Sequence, residues 1–279
     1  MAHLTWNGYG KAGVRLVKVN RTGPAHGLTD LTVDLQLQGE FDAAHTAGDN
    51  SCVLPTDTMK NTVYALAAKG PVDPPELFGE RLGRHLLEHC PSARRAVIRL
   101  ALHRWDRLAT NGTSHHHAFA RGPEERRLAQ VSVDAAGGTV EAGLAGLGLL
   151  KTTESGFGGF LRDVFTTLRE TEDRILATDV TARWRYASLP ADYSEAWTRV
   201  RQTLIDTFAG HRSASVQQTL YAMGDAALRA CNEIAEIRLL LPNRHHLPVD
   251  LTPFGLENRN EIFVATSEPY GRIEAVITR

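Results

Sequence analysis

Cysteine is scarce in this sequence, and the few cysteines lie far apart. The chain of 279 residues contains three of them, Cys52, Cys90 and Cys231. Three scattered thiols cannot build the disulfide framework of a small secreted domain, nor the closely spaced pairs of a zinc knuckle. This usage suits a reducing compartment, and each cysteine is expected to be a small apolar filler.

The sequence also lacks a large net charge and long apolar runs. Lys and Arg total 31 against 32 Asp and Glu, a formal charge of -1, so no broad positive field attracts nucleic acid or an anionic membrane. No window approaches 18 apolar residues, and residues 1–8 lack a signal-peptide pattern. Residues 276–279 carry no Ser-Lys-Leu peroxisomal address. We expect a cytoplasmic protein without nucleic-acid or membrane partners, in which any anionic ligand is captured locally.

The familiar metal and cofactor motifs do not occur. The histidine tract 115–117 and the pair 245–246 are consecutive residues, which point to opposite faces of a strand, and no His-Glu-x-x-His, Cys-x-x-Cys or EF-hand pattern is found. The Asn111-Gly112 turn places the tract at an exposed hairpin tip. Residues 156–159 lack the setting of a phosphate-binding loop, and no Gly-x-Ser-x-Gly elbow is present. We therefore predict no metal site and no cofactor.

What the chain does have is an ordinary globular composition, 42% hydrophobic and 23% charged, and one order of elements that occurs twice. Hydrophobic periodicity predicts strands at 14–19 and 31–37, helices from Thr56 and from Pro75 to about Cys90, and strands at 95–105 and about 118–135. The second half repeats this order with strands at 140–152 and 179–186, helices at 193–209 and 215–232, and strands at 236–241 and 261–265, the last extended by 272–277. We predict an α+β protein of two ββααββ units, residues 1–138 and 139–279, each an antiparallel sheet backed by helices.

A dense group of polar residues marks the start of the first helix. Pro55 disfavours a helical residue before it, and either Thr56 or Asp57 can serve as the N-cap. The free backbone N–H groups of a helix start can bind an anion. The alternative is that Thr56 and Asp57 only cap the helix and that Lys60 is a solvated side chain.

Eight short motifs, in the same order, make the sequence resemble the urate oxidase (uricase) family along essentially its whole length. They are Tyr9-Gly10-Lys11, 56–62, 75–79, 103–105, 159–163 with 166–168, 173–179, 213–217 and 241–245. The resemblance implies the tunnelling fold (T-fold), in which two ββααββ units per chain assemble into a barrel-like homotetramer with active sites shared between subunits.

The resemblance also implies the reaction, which belongs to purine degradation. Urate is oxidised by O2 and water to 5-hydroxyisourate and hydrogen peroxide, without a cofactor. Lys11 and Thr56 match the Lys-Thr dyad that acts as general base, and His245 matches the histidine that relays protons. Asn243 with Thr56 matches the polar pair that holds O2, peroxide or water above the purine. The backbone at Thr56 and Asp57 is expected to meet the five-membered ring from the neighbouring subunit.

The remaining implied residues bind the substrate. Arg174 and Gln217 match the clamp on the pyrimidine-side edge of urate, Phe157 matches the aromatic ring that stacks on the purine, and Leu168 and Val216 line the pocket. These residue types suit a planar anion rimmed by carbonyl and N–H groups, because an arginine presents a rigid donor fork and a glutamine can donate and accept.

Two other interpretations remain open at the level of sequence. One is a tunnelling-fold enzyme acting on a pterin or another purine, whose relatives often use a metal or an acidic residue to anchor the ring. The other is an oligomer that binds a purine without catalysis. His246 and His103 are expected to be structural in each case.

Overall fold

The structure, a computed structural model, describes residues 2–279. The chain divides into two compact units. The first extends to Gly143 and includes Leu189–Ser194, and the second comprises Leu144–Ser188 and Glu195–Arg279. The boundary between residues 138 and 139 stays a prediction about the repeat of the fold. Among residues 2–279, none of the helices combines the length and apolar character that crossing a bilayer requires.

The first unit has the predicted order of two strands, two helices and two strands. The elements are β1 (Tyr9–Asn20), β2 (Gly27–Gly39), α1 (Asp42–Thr46), α2 (Thr56–Lys69), α3 (Pro75–His89), β3 (Ala93–Thr110) and β4 (Thr113–Asp134). The strands pair antiparallel in the order β1-β2-β3-β4. The five-residue helix α1 is an addition to the prediction, since it is too short to show a helical period.

Alternation along β2 explains how this unit forms its core. Leu31, Val33, Leu35 and Leu37 are almost fully buried, while the residues between them are at least partly accessible. Strand residues two apart lie on the same face, so these four side chains form one apolar surface. The buried side chains Met59 and Val63 of α2 and Leu82 and Leu86 of α3 belong to the same hydrophobic cluster.

The second unit repeats the order with a small insertion. Its elements are β5 (Gly137–Lys151) and α4 (Tyr193–Gly210), which both start in the first unit, together with β6 (Leu176–Tyr186), α5 (Val216–Ala230), β7 (Ile234–Asn243), β8 (His246–Pro248), a 3-10 turn (Thr252–Phe254), β9 (Phe263–Ala265) and β10 (Gly271–Thr278). The main strands follow the order β5-β6-β7-β10, and β8 pairs with β9 in a separate two-stranded sheet.

The prediction that residues 272–277 extend the strand at 261–265 is wrong. β9 pairs antiparallel with β8, whereas β10 pairs with β7 in the main sheet. Between them, the amide of Thr266 donates to the carbonyl of His245 at 2.9 Å, and Pro269 has no N–H to offer a sheet ladder. Two short apolar runs close together in sequence therefore belong to different sheets.

Candidate active site

A cavity of about 490 Å³ in the second unit brings together seven of the residues that the resemblance implies. They are Phe157, Leu168, Arg174, Val216, Gln217, Asn243 and His245. They come from three separate stretches of the chain: the long connection before β6, the start of α5, and the end of β7. An aromatic face, a cationic donor fork, two amides and an imidazole thus line one cavity.

The long connection before β6 is tied down at Phe157. Its backbone N–H donates to the carbonyl of Thr171 at 2.7 Å, and the Thr171 N–H donates back at 3.0 Å. The preceding Gly156 N–H donates to the carbonyl of Ser213 at 2.8 Å, and the Ser213 N–H donates to the carbonyl of Glu154 at 2.9 Å. Phe157 is therefore fixed against the segments that lead to Arg174 and to α5.

Arg174 presents an unpaired cationic donor. Its guanidinium carbon lies 5.4 Å from the centroid of the Phe157 ring. Its Nε is buried and has no hydrogen-bond partner among residues 2–279. Burial lowers the pKa of Arg174, but a guanidinium keeps its charge in proteins. Because buried donors are normally paired, this one indicates the position of a ligand acceptor.

The neighbouring carboxylate holds the backbone that carries Arg174. Asp173 accepts a hydrogen bond from the Thr153 hydroxyl at 2.8 Å and another from the Ser155 N–H at 3.3 Å. The bond from Thr153 is the main reason why the pKa of Asp173 is lowered. Asp173 thus links the start of the connection to its end, beside the guanidinium.

The start of α5 brings Val216 and Gln217 to the cavity, as predicted for Gln217. Ser215 is the N-cap, and its hydroxyl accepts from the Gln218 N–H at 3.1 Å. The Gln218 side chain in turn accepts from the Ala214 N–H at 2.8 Å. Capping therefore occupies Ser215 and Gln218, and the exposed Gln217 amide is left at the cavity beside the positive end of the helix.

β7 ends at Asn243, and Arg244 and His245 follow it directly. The Arg244 N–H donates to the carbonyl of Ala177 at 2.9 Å, and its Nε donates to Asp179 at 2.8 Å. Its guanidinium carbon also lies 5.4 Å from the centroid of the Tyr270 ring. Arg244 anchors the backbone from which its two neighbours extend. Sequence reasoning missed this role because the partners of Arg244 are remote in sequence.

Thr56 lies in the first unit, where α2 begins differently from the prediction. Pro55, with extended backbone angles, occupies the N-cap position, and no side chain caps the helix. The prediction that Thr56 or Asp57 is the N-cap is therefore wrong, because Pro55 already directs the chain into the helix and its carbonyl accepts from the Met59 N–H at 3.1 Å. Within residues 2–279 the Thr56 hydroxyl makes no hydrogen bond, so it is available to a ligand.

Lys11 and Asp57 lie near the same helix start. Asp57 forms an ion pair with Lys60 and accepts from the Asn61 side chain at 3.0 Å. The hydrogen bond from Lys60 is the main cause that lowers the pKa of Asp57, and the charge of Lys11 adds to it. Lys60 is thus engaged within the helix. Lys11 is close enough to act on Asp57, although no hydrogen bond joins it to Thr56 in the described part of the chain.

A β-bulge sets the position of Lys11 in β1. Lys11 pairs with Leu35, and the register of the two strands shifts between Lys11 and Val14. Gly13 in the bulge has a φ of 68°, and its N–H donates to Asp34 at 2.6 Å. A glycine accepts this left-handed conformation without strain, and bulges redirect the side chains beside them.

Of the other histidines considered from the sequence, only His246 borders the cavity. The tract 115–117 and His103 lie outside both the cavity and the group around the start of α2. The tract 115–117 follows a turn in which Asn111 and Gly112 have positive φ, so the predicted hairpin tip is confirmed. His103 Nε2 lies 2.8 Å from the Thr32 hydroxyl, as expected for a structural histidine. His246 borders the cavity, but its Nδ1 lies 3.2 Å from the carbonyl of Arg244.

Comparison with protein-family models matches the Uricase family at residues 7–132 and 140–274. The chain belongs to the uricase family. It is 48% identical to the uricase of Arthrobacter globiformis over 276 residues, covering 99% of this chain and 90% of the relative. It is 39% identical to the uricase of Aspergillus flavus over 288 residues, covering 97% and 95% of the two chains.

The structural comparison agrees with the sequence comparison. The crystal structure of uricase from Arthrobacter globiformis matches with a TM-score of 0.95 at 48% identity, covering 100% of this chain and 96% of that one. The resemblance to the uricase family and the α+β tunnelling fold predicted from the sequence are both confirmed. Each of the two units has antiparallel strands backed by two long helices, which agrees with that fold.

Proposed function

We propose that this protein is a urate oxidase that converts urate, O2 and water into 5-hydroxyisourate and hydrogen peroxide without a metal or organic cofactor. The observation that carries the proposal is the cavity of the second unit, in which a member of the uricase family gathers Phe157, Arg174, Gln217, Asn243 and His245. A purine-sized space with a few convergent polar groups is the usual form of a small-molecule site.

Binding follows from the chemistry of the cavity. Urate is a planar anion with carbonyl and N–H groups alternating around its rim. The Phe157 ring offers it a flat face, and the unpaired Nε of Arg174 belongs to a fork that can donate two parallel bonds. The Gln217 amide can donate and accept beside the fork. Each hydrogen bond to a charged group contributes about 1.5–3 kcal/mol, so this clamp fixes the orientation of the ring.

Proton removal is assigned to Lys11 and Thr56. The free Thr56 hydroxyl supplies the hydrogen-bonding group of the dyad, and Lys11 is the cation whose charge reaches this helix start. His245 relays protons, while Asn243 and Thr56 hold O2 or water above the ring. Loss of a further proton makes urate a strong reductant. O2 then takes two electrons and two protons to become hydrogen peroxide, and water supplies the hydroxyl group of the product.

The active site is completed in a homotetramer. Lys11, Thr56 and Asp57 belong to one unit and the cavity to the other, and we assign the two parts of each working site to different copies of the chain. Large apolar side chains support an interface, because Leu161, Val164 and Phe165 are each at least 85% exposed in the single chain. Exposed apolar patches of this kind mark surfaces that associate.

The test of function is to mix metal-stripped protein with urate in air. We expect the ultraviolet absorbance of urate to fall together with O2, and hydrogen peroxide to appear. Zinc-dependent turnover of a pterin with none of urate would instead support the other tunnelling-fold chemistry. Tight urate binding without O2 uptake would support a purine-binding oligomer that lacks catalysis.

The shared site has a separate test. The variants Lys11→Met and Arg174→Ala are each expected to be nearly inactive, because each removes one part of every site. When the two are unfolded together and reassembled, hybrid oligomers should recover activity, since some sites then combine two intact parts. No recovery in hybrids of verified mixed composition would contradict sharing between copies.

A further inference from the structure

Two histidines and a glutamate share one face of α3, in the first unit and apart from every residue assigned to urate. His85 and His89 are one helical turn apart, with Glu88 beside them, and one ligand atom from each residue lies within 4.8 Å of the others. The two imidazole rings stack with centroids 4.0 Å apart and an angle of 24° between their planes. Among residues 2–279 this is the one such group found.

A backbone hydrogen bond sets the orientation of the outer imidazole. His89 Nδ1 lies 2.8 Å from the carbonyl oxygen of His85. A carbonyl can only accept, so Nδ1 carries the hydrogen and the lone pair of the neutral ring lies on Nε2. Metal-binding histidines commonly show this arrangement, in which one ring nitrogen donates to a carbonyl or carboxylate and the other binds the ion.

The helix beneath these side chains is firmly held. Phe78, Leu82 and Leu86 are each spaced three or seven residues from one of the two histidines, so they lie beside them on the helix, and they are almost fully buried. Gly79 and Gly83 lie so close to β4 that a Cβ at either position would come within 3 Å of a valine side chain. Residues four apart on a rigid helix keep their backbone spacing, so rotation of the side chains alone can bring both imidazoles onto one ion.

We propose that His85, Glu88 and His89 form a surface site for a divalent transition-metal ion of the zinc, nickel and copper group. Imidazole nitrogen suits these ions, whereas magnesium and calcium prefer oxygen ligands. Two imidazoles and one carboxylate occupy three coordination positions, and water fills the rest.

The test uses untagged, chelator-treated protein titrated with zinc chloride and with nickel chloride by calorimetry or equilibrium dialysis. We expect one ion per chain at this site. His89→Gln should weaken it by more than about tenfold because it removes a direct ligand, and Glu88→Gln should weaken it less. The matched control is His116→Gln in the exposed tract, which should leave this binding unchanged. Equal melting temperatures without metal show that the variants are folded.

Three results would overturn the proposal. The first is wild-type protein that binds no stoichiometric zinc or nickel. The second is His89→Gln with the affinity of the wild type. The third is loss of the bound ion in His116→Gln but not in His89→Gln, which would assign binding to the tract. Urate turnover does not enter this test, so its result is independent of the proposed oxidase activity.

Discussion

Replacing Arg174 should separate urate binding from protein stability. Within residues 2–279 the Arg174 side chain makes no hydrogen bond and its buried Nε is unpaired, so Arg174→Ala removes no internal hydrogen bond. What the folded chain loses is mainly the contact with the Phe157 ring at 5.4 Å, a cation–π interaction of about 0.5–2 kcal/mol. We therefore expect a small drop in melting temperature and a large loss of affinity.

The size of the loss follows from the bonds that the fork can make. Two hydrogen bonds to the urate anion at about 1.5–3 kcal/mol each amount to roughly 3–6 kcal/mol. Since about 1.4 kcal/mol is tenfold, Arg174→Ala should weaken urate binding by about 10²–10⁴-fold. Arg174→Lys keeps the charge without the planar fork, and about half of the free energy should remain.

The assay is equilibrium binding of urate without oxygen, followed by difference absorbance, so that no turnover disturbs the measurement. The matched control is Arg162→Ala in the same connection. Arg162 also lies over an aromatic ring, Phe160 at 4.9 Å, and its guanidinium pairs with Glu170 at 3.4 Å and donates to the carbonyl of Leu168 at 3.3 Å without lining the cavity. Arg162→Ala therefore shows how much affinity is lost when the connection is disturbed but the fork is kept. An anaerobic Kd of Arg174→Ala equal to that of the wild type and of the control would refute the clamp.

Three further predictions concern catalysis and the first unit. Lys11→Met should lower kcat by about 10²-fold or more with little change in anaerobic urate affinity, because a general base acts mainly in the transition state; equal turnover in steady-state assays would count against it. Burial is the main cause that lowers the pKa of His103 in the folded chain below its usual value of 6.5. The contribution of neutral His103 to the free energy of unfolding is therefore present above pH 6.5 and is lost as pH falls through the pKa of the folded state. In urea unfolding between pH 7.5 and 5.5, the free energy of unfolding should fall less in His103→Asn than in the wild type. An equal fall in the two proteins would contradict this. At Gly10 a Cβ would lie 1.8 Å from the carbonyl oxygen of Leu35, whereas at Gly13 the only cost of a side chain is the positive φ. Gly10→Ala should therefore lower the melting temperature more than Gly13→Ala. The reverse order would refute the close approach at Gly10.

Local patterns were sufficient for the main elements of the fold. The alternation at residues 31–37 corresponds to β2, and the prolines and apolar spacing that predict a helix from Pro75 to about Cys90 correspond to α3. Through the resemblance to the family, seven residues from three stretches of the chain were predicted to form the site, and the structure brings all seven to one cavity. Short-range periodicity could not have shown that gathering.

What the sequence left out depends on contacts between distant residues. The pairing of β8 with β9 is a tertiary choice that two short apolar runs do not reveal. The anchor between Arg244 and Asp179 joins residues from different strands. At the start of α2, the backbone direction set by Pro55 decided the cap, and residue preferences alone favoured Thr56 or Asp57. The face shared by His85 and His89 is an exception, because their spacing of four residues within the predicted helix could have shown it from sequence alone.

The most direct test of the proposed chemistry is a stoichiometric measurement on protein from which metal has been removed. Elemental analysis should first show less than about one tenth of a metal ion per chain. Urate loss, O2 uptake and hydrogen peroxide release are recorded on the same sample. Cofactor-free urate oxidation predicts equal amounts of all three, at a rate that chelator treatment does not change. Turnover that vanishes on metal removal and returns with added metal would contradict it, and so would urate loss without matching O2 uptake.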